Sequence, residues 1–290
     1  MKSGMNAGTI RESAARVIQW GPARNAAKYG AHHYASMRGH HLTRTGQVPP
    51  IANIFAASSP KGGSQWMKAL MDHPIVRAHT GLFTLPQLDY QQTPDRIFPP
   101  GTFIPGLYCG YTEYQNMPKL HPHRVIYMFR DPRDLVVSGY YSATTTHRKT
   151  HLPEVEAFRD QLRGMPFDDA LLALINFAAP RLLETASWVD ADDTNIAKFR
   201  IEDIAADPRD QVARVLKHCH VELTPDELET VLNDVSRSSL QTKDLATRSE
   251  GAESHYRRNP QTFRDVFKPQ HHQAIDNIVP DLAARLGYPD

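Results

Sequence analysis

Cysteine is scarce in this sequence, and long uninterrupted apolar runs are missing. Cys109 and Cys219 are its two cysteines, too few for a disulfide framework, so the sequence favours a reduced, cytoplasmic protein. The richest apolar run, residues 171–180, ends in a proline and is much shorter than the ~20 residues that span a bilayer. No Cys/His spacing of the kind that holds a metal ion occurs, so we expect no metal.

An excess of either charge is also lacking. The 33 lysines and arginines are balanced by 32 aspartates and glutamates, which gives a net charge of +1. A surface that binds nucleic acid over a wide area needs a clear basic excess. We therefore expect no nucleic-acid partner, and any anion site must be local.

The first 49 residues differ from the rest of the chain. Arginines and lysines are interleaved there with aromatic and branched residues, and Pro49-Pro50 ends the segment. One interpretation is a surface helix that packs on the main domain. The other is a basic amphipathic helix that contacts a membrane surface or a lipid substrate. We predict an N-terminal leader, residues 1–49, followed by one domain, residues 50–290.

The remaining sequence alternates strand patterns with helical spacing. Short strands are predicted at residues 51–57, 125–129 and 195–201, with helices between them and a last helix over residues 270–286. Residues 85–106 are rich in proline, glutamine and glycine, which predicts a long loop. The fold class predicted is α/β, a single domain with a mostly parallel central sheet flanked by helices.

The first of two anion-type motifs follows the first predicted strand, over residues 58–66. Gly62 and Gly63 allow backbone amides to approach an anion, and the N-terminus of the following helix adds its dipole. Lys61 supplies a positive charge, and Ser64 and Gln65 supply further donors. This P-loop-like strand-loop-helix unit is not a Walker A loop, because its lysine precedes the glycine pair. The alternative is an ordinary turn with a surface lysine.

The second motif begins where the strand at residues 125–129 ends. Arg130 lies at the carboxyl end of that strand, where open α/β sheets bind ligands. Asp131-Pro132 starts a helix, and Ser138 lies about two turns further along it. A guanidinium fork combined with a hydroxyl donor suits a phosphate. The alternative is a surface ion network among the charged residues at 130–134.

Both segments resemble motifs of the sulfotransferases that use 3′-phosphoadenosine 5′-phosphosulfate (PAPS), in particular the cytosolic type. Residues 59–66 are similar to the loop that binds the 5′-phosphosulfate, and residues 130–134 with Ser138 are similar to the 3′-phosphate motif. Residues 256–267 are similar to a later basic segment of the family. The resemblance implies PAPS as co-substrate, no metal, and a PAPS site formed by Lys61, Gly62, Gly63, Ser64, Gln65, Trp66, Arg130, Ser138, Arg257, Arg258 and Asn259.

The resemblance also implies the reaction, in which a hydroxyl, less often an amine, attacks sulfur in line. Lys61 would neutralise the charge that develops on the leaving group, and a general base would take the acceptor proton. The family's usual histidine is missing from residues 104–114, where Glu113 is the one carboxylate, so Glu113 is the expected base. A Lys-Thr-His-Leu-Pro segment occurs at residues 149–153, after the second motif, whereas the family places it before.

Two other functions stay open on the sequence alone. A nucleotide-dependent kinase on a related scaffold would need a Walker A lysine and an acidic metal partner. A non-catalytic protein that binds PAPS, or its desulfated product PAP, would need no base. Aromatic residues around 80–120 favour an apolar or ring-containing small molecule, lipid or glycolipid as acceptor, although the same residues would also suit a core.

Overall fold

The structure, a computed structural model, describes residues 21–86, 97–146, 153–246 and 261–289. Its strands are β1 Asn53–Ser58, β2 Phe83–Thr84, β3 Thr102–Leu107, β4 His123–Phe129 and β5 Ile196–Arg200. They form one five-stranded sheet in the order β2-β3-β1-β4-β5, and every neighbouring pair is parallel. The predicted fold class is confirmed.

Helices cover both faces of this sheet. In chain order they are α1 Gly21–Thr45, α2 Ser64–Met71, α3 Pro74–Thr80, α4 Tyr111–Asn116, α5 Pro132–Tyr141, α6 Pro153–Gly164, α7 Phe167–Val189, α8 Ile201–Ala206, α9 Pro208–His218, α10 Pro225–Asp234, α11 Arg237–Ala246, α12 Phe263–Val266, α13 Pro269–Ile278 and α14 Leu282–Arg285. A π-helical turn, Ser142–Thr146, continues α5. The described helices are each too short or too polar to cross a membrane.

Strand β1 is buried along its whole length, as a central parallel strand must be. Alternate side chains reach opposite faces of the sheet. Ile54 and Ala56 belong to a core cluster with helix α2 and helix α9, whereas Phe55 and Ala57 belong to a cluster with Trp188 of helix α7. The continuous apolar pattern of β1 therefore arises because helices cover both sides.

Two of the predicted elements are wrong. The loop expected over residues 85–106 contains strand β3, which was not predicted because it includes Pro105 and Gly106. Gly106 has φ 67. Beside it the β1–β3 register shifts, between Phe55 and Ala57 of β1. A local irregularity thus accommodates both residues inside a strand. The single last helix is two helices, α13 and α14, because the chain turns at Asp281, where φ is 53.

Helix α1 lies on the main domain through its second half. Ala35 is buried in the same cluster as Phe55, and the Arg38 guanidinium donates to the carbonyls of Gly101 and Gly81 at 2.8 and 2.5 Å. These contacts tie the helix to the loops that flank β2 and β3. The division into a leader and a main domain stays a prediction.

Cys109 and Cys219 do not form a disulfide with each other. Cys109 and Cys219 are both free and buried, and they belong to the clusters on opposite faces of the sheet. Burial raises the pKa of each thiol to about 12, so both are packed as small apolar side chains.

Candidate active site

The loop after β1 has an unusual backbone. The N–H of Gly62 donates to the Ser59 carbonyl at 2.9 Å and closes a turn. Lys61 has φ 72 and Gly63 has φ 103. At φ 103 any side chain on residue 63 would be strained, and a Cβ would also lie 2.4 Å from Cε of Met128, so glycine is strongly favoured there. A lysine with positive φ is uncommon, and backbone strain of this kind concentrates at functional sites.

Helix α2 starts directly after this turn. Gly63 is its N-cap residue and makes no side-chain capping bond. The first backbone N–H groups of the helix, which have no acceptor within the helix, therefore face the loop without a side-chain cap. Ser64 is buried, and its hydroxyl is 2.9 Å from the hydroxyl of Tyr108, beyond the end of β3. Gln65 is exposed, and Trp66 packs partly against the hydrophobic core. The geometry is that of an anion cradle.

Lys61 joins this loop to the helix of the second motif. Its ammonium donates to the hydroxyl of Ser142 at 3.3 Å, and Ser142 is buried directly after α5. Ser138 lies four residues earlier, on the same helical face. The structure thus brings Lys61 towards Ser138 through Ser142, a residue that sequence reasoning missed because no motif marks it.

Strand pairing places the two motifs next to each other. Strands β1 and β4 are neighbours in register, with Ser58 opposite Met128, so their carboxyl ends lie at the same edge of the sheet. The chain moves from β1 to β2 and β3 on one side and then crosses to β4 on the other. This reversal is the position at which open parallel sheets bind ligands.

Arg130 leaves β4 with part of its hydrogen-bonding capacity unused. Its Nε is buried and has no hydrogen-bond partner among the described residues. The carboxylate of Glu202 places its Oε1 3.9 Å from this nitrogen, which is too far for a hydrogen bond. A buried donor without an acceptor is costly, and an anionic ligand would satisfy it.

The remaining charges of the second motif stabilise helix α5. Asp131 caps the helix by accepting the Arg133 N–H at 2.9 Å, and it also accepts from the Arg133 guanidinium at 3.0 and 2.8 Å. Both side chains are about 95% buried. The ion network that the sequence allowed as an alternative therefore exists in part, but it is internal and leaves out Arg130.

The chain that follows residues 247–260 is attached to helix α5. The hydroxyl of Tyr141 donates to the side chain of Gln261. The N–H of Phe263 donates to Oδ1 of Asp134 at 2.7 Å, and the Arg133 guanidinium lies 3.9 Å from the centre of the Phe263 ring. Arg257, Arg258 and Asn259, predicted for the PAPS site, lie outside the described residues.

Helix α7 adds polar groups to the same edge of the sheet. The hydroxyls of Thr185 and Ser59 are 2.5 Å apart, and Arg181 binds both oxygens of Glu184 at 2.6 and 2.7 Å. Burial raises the pKa of Glu184, while the Arg181 hydrogen bond and charge pull it down. Sequence reasoning missed these residues because they lie within a mostly apolar helix, far from either motif.

Glu113, the expected base, lies at the start of helix α4. Its Oε2 accepts the backbone N–H of Gly110, the N-cap residue, at 2.8 Å, and the residue is exposed. A Cβ on Gly110 would lie 3.8 Å from Glu113 Oε2 and 3.7 Å from Cγ of Glu184. The two glutamates therefore flank the chain just beyond β3.

Two further findings concern the surroundings of the site. In the part of the chain that the structure describes, no group of three or more His, Cys, Asp and Glu side chains is arranged to hold a metal ion. Tyr114, one of the aromatic residues between positions 80 and 120, is only 1% exposed. Its hydroxyl is hydrogen-bonded to the ring of His123 at 2.8 Å, so Tyr114 is a core residue.

Known proteins share this architecture. A solved mouse sulfotransferase, SULT7A1 complexed with PAP, aligns with a TM-score of 0.54 and 13% identity over 82% of this chain and 88% of its own. Retinol dehydratase, in a complex with androsterone and PAP, aligns with a TM-score of 0.51 and 14% identity over 79% of this chain and 80% of its own. At such identities the likeness concerns the fold.

Sequence comparison identifies the family. Cytosolic sulfotransferase 7 of Arabidopsis thaliana is 24% identical over 207 residues, which are 63% of this chain and 61% of that protein. The chain thus aligns with about three fifths of the length of this curated relative. The sulfotransferase domain family matches residues 111–287, well over half of the chain, so the predicted family is confirmed. This protein belongs to the sulfotransferase domain family.

Proposed function

We propose that this protein is a PAPS-dependent sulfotransferase that sulfates a hydroxyl, less often an amine, of an apolar or ring-containing small molecule, lipid or glycolipid. The observation that supports this most is the pairing of β1 with β4. It places the Lys61 loop and the Arg130 motif side by side at one edge of the sheet. A ligand with two separate anionic groups, as PAPS has, fits such a pair of basic sites.

The residues after β1 would hold the 5′ side of PAPS. Lys61 and the backbone N–H groups of Gly62, Gly63 and Ser64 would contact the phosphosulfate, with Gln65 and Trp66 beside them. PAPS supplies the activated sulfuryl group when it is bound. Lys61 and the backbone N–H groups of the loop would stabilise the charge that develops on the leaving phosphate oxygen.

The residues after β4 would hold the 3′-phosphate. Arg130 has a buried Nε for which the described residues supply no acceptor, and Ser138 supplies a hydroxyl from helix α5. Arg257, Arg258 and Asn259 complete the proposed site. Gln261, two residues beyond Asn259, is hydrogen-bonded to Tyr141 of the helix segment that carries Ser138, which supports their inclusion.

Glu113 is the general base in this proposal. The support is its place after β3, at the sheet edge where the two anion sites lie. The hydrogen bond from the Gly110 N–H fixes the Glu113 carboxylate. A base held in one position reduces the entropic cost of aligning the substrate hydroxyl for proton transfer. Retinol dehydratase, a fold relative, holds androsterone in its structure, which supports an apolar ring-containing acceptor here.

The protein acts in the cytoplasm in this proposal. The Arabidopsis relative is named as a cytosolic sulfotransferase, which supports that location. An attachment of residues 1–49 to a membrane surface, suggested by their basic and aromatic composition, also stays a proposal.

Titration calorimetry with PAP tests the nucleotide site. We expect binding to the wild type and a loss of about 10- to 100-fold in Arg130→Ala, because a charge-assisted hydrogen bond contributes about 1.5–3 kcal/mol. Turnover of labelled PAPS with a panel of hydroxyl acceptors should fall about 10²–10³-fold in Lys61→Ala. The exposed lysine of helix α9, in Lys217→Ala, is the control and should leave both unchanged.

The other functions give different outcomes in the same assays. If the wild-type protein does not bind PAP but binds ATP with Mg²⁺, the result would favour the hypothesis of a nucleotide-dependent kinase. PAP binding without turnover on any acceptor would favour a non-catalytic binder. Undiminished turnover in Lys61→Ala would contradict the proposed mechanism.

A further inference from the structure

Residues 287–289 are attached to helix α5, which carries the second motif, and to the end of strand β5. The Arg133 guanidinium of helix α5 donates to the carbonyl of Pro289 at 2.6 Å. The Arg200 guanidinium, at the end of β5, donates to the carbonyl of Gly287 at 3.0 Å. Tyr288 lies between these two points and is only 8% exposed. The C-terminal residues 287–289 thus have one fixed position beside the second motif.

The hydroxyl of Tyr288 binds a carboxylate that lies next to Arg130. It donates to Oε2 of Glu202 at 2.6 Å. The other oxygen, Oε1, is 3.9 Å from Nε of Arg130. Burial is the main cause that raises the pKa of the Glu202 carboxyl, and burial together with the Glu202 bond raises the pKa of the Tyr288 hydroxyl.

This geometry is not the one that a glutamate and an arginine adopt by themselves. A carboxylate beside a guanidinium normally closes to about 2.7–2.9 Å and forms parallel hydrogen bonds. Such a pair would occupy Arg130, since a glutamate carboxylate offers the same kind of acceptor as a phosphate. Glu202 stays outside that distance while Tyr288 holds its second oxygen.

We propose that Tyr288 is a positioning residue of the PAPS site: its hydroxyl holds Glu202 away from Arg130 and leaves the guanidinium open to the 3′-phosphate. The inference rests on the function proposed above. Without the hydroxyl, Glu202 loses its side-chain hydrogen bond and keeps, among the described residues, only the contacts with the backbone of Asp131 and of Glu202 itself. It can then turn towards Arg130 and compete with the nucleotide. The C-terminal residues of the chain thereby set the affinity of a site built by β4 and α5.

A double-mutant cycle on the full chain tests this, with the dissociation constant of PAP as the measurement. Tyr288→Phe keeps the ring, which packs against Phe129, and should weaken PAP binding about tenfold. Glu202→Gln removes the competing charge and should bind PAP at least as tightly as the wild type. In the Glu202→Gln background, Tyr288→Phe should change the affinity less than twofold.

The control is Tyr114→Phe, which also removes a hydroxyl bond of a buried tyrosine but lies away from Arg130. It should leave PAP affinity unchanged even if the melting temperature falls. The inference is overturned if Tyr288→Phe binds PAP like the wild type, or if the same loss persists in the Glu202→Gln background. Failure of the proposed function looks different, because the wild type itself would then not bind PAP.

Discussion

The backbone N–H of Phe263 donates to Oδ1 of Asp134 at 2.7 Å, across 129 positions of sequence. Asp134 lies in the first turn of helix α5, in the second motif. Burial raises the pKa of its carboxyl, and the Phe263 N–H and Arg130 pull it down. This bond attaches the chain that carries Arg257 and Arg258 to the helix that carries Ser138.

Removing that acceptor should cost both stability and nucleotide affinity. Asp134→Ala leaves the Phe263 N–H buried without a partner, so the free energy of unfolding should fall by about 1–3 kcal/mol in urea denaturation. PAP affinity should fall as well. Asp134→Asn keeps an acceptor oxygen and should retain most of both. Asp160→Ala, which removes an exposed carboxylate, is the control and should change stability by less than about 0.5 kcal/mol.

The backbone of the first loop requires glycine at position 63. Gly63→Ala would place a methyl group 2.4 Å from Met128 Cε and 2.9 Å from Ile201 Cδ1, at φ 103. We expect a loss of about 1–3 kcal/mol in unfolding free energy together with reduced PAP affinity. Gly30→Ala, within helix α1 and with open space around its Cβ position, should be neutral or slightly stabilising. Equal effects of the two changes would contradict this account of the loop.

Glu113 and Glu184 flank Gly110, and the kcat of variants at each position distinguishes their roles. Glu113→Gln keeps an oxygen that can accept the Gly110 N–H, because glutamine can replace glutamate in this backbone contact. If Glu113 is the base, kcat should fall about 10²–10⁴-fold with PAP affinity unchanged. Glu184→Gln weakens the pairing with Arg181 and should reduce kcat much less. The opposite order of effects would transfer the role of base to Glu184.

Stability should decrease as the pH falls below about 6.5, in part through His218. Its Nε2 is 3.0 Å from the carbonyls of Val125 and of Asn195, and burial lowers its pKa from 6.5. Since the unfolded chain then binds a proton more readily than the folded one, stability is full above pH 6.5 and is lost as the pH falls from there towards the folded pKa.

The pH dependence of unfolding in urea checks this, between pH 7.5 and pH 5. One such histidine contributes at most about 1.4 kcal/mol per pH unit. His218→Gln should reduce the slope, and His41→Gln, at an exposed position of helix α1, is the matched control. An unchanged slope in His218→Gln would show that other groups dominate.

The local chemistry of both anion motifs was readable from the sequence. The glycine pair at 62 and 63 predicts a tight turn. Asp131-Pro132 predicts the start of a helix, and Asp131 is the N-cap residue of helix α5 in the structure. The apolar strand at residues 125–129 and its arginine place that arginine at a strand end. These features depend on residues close together in the chain, so propensity and capping rules predict them.

Contacts between distant residues were not readable. Strand β3 was missed because proline and glycine lie inside it, and a register irregularity that only the neighbouring strand defines accommodates them. Nothing in the sequence around Glu184 and Thr185 distinguishes them from the other residues of helix α7. Their proximity to the loop follows from how that helix packs on β1 and β4, and no local pattern specifies helix packing.

The sequence by itself thus determined the residue types of two proposed anion sites and the parallel α/β class. Tertiary structure decided that β1 and β4 are neighbours, that Lys61 meets Ser142, and that Tyr288 is hydrogen-bonded to Glu202. The physical reason is that parallel strands are apolar on both faces, so their pattern does not encode their order. Strand order and the path of the C-terminal residues follow from packing the whole chain.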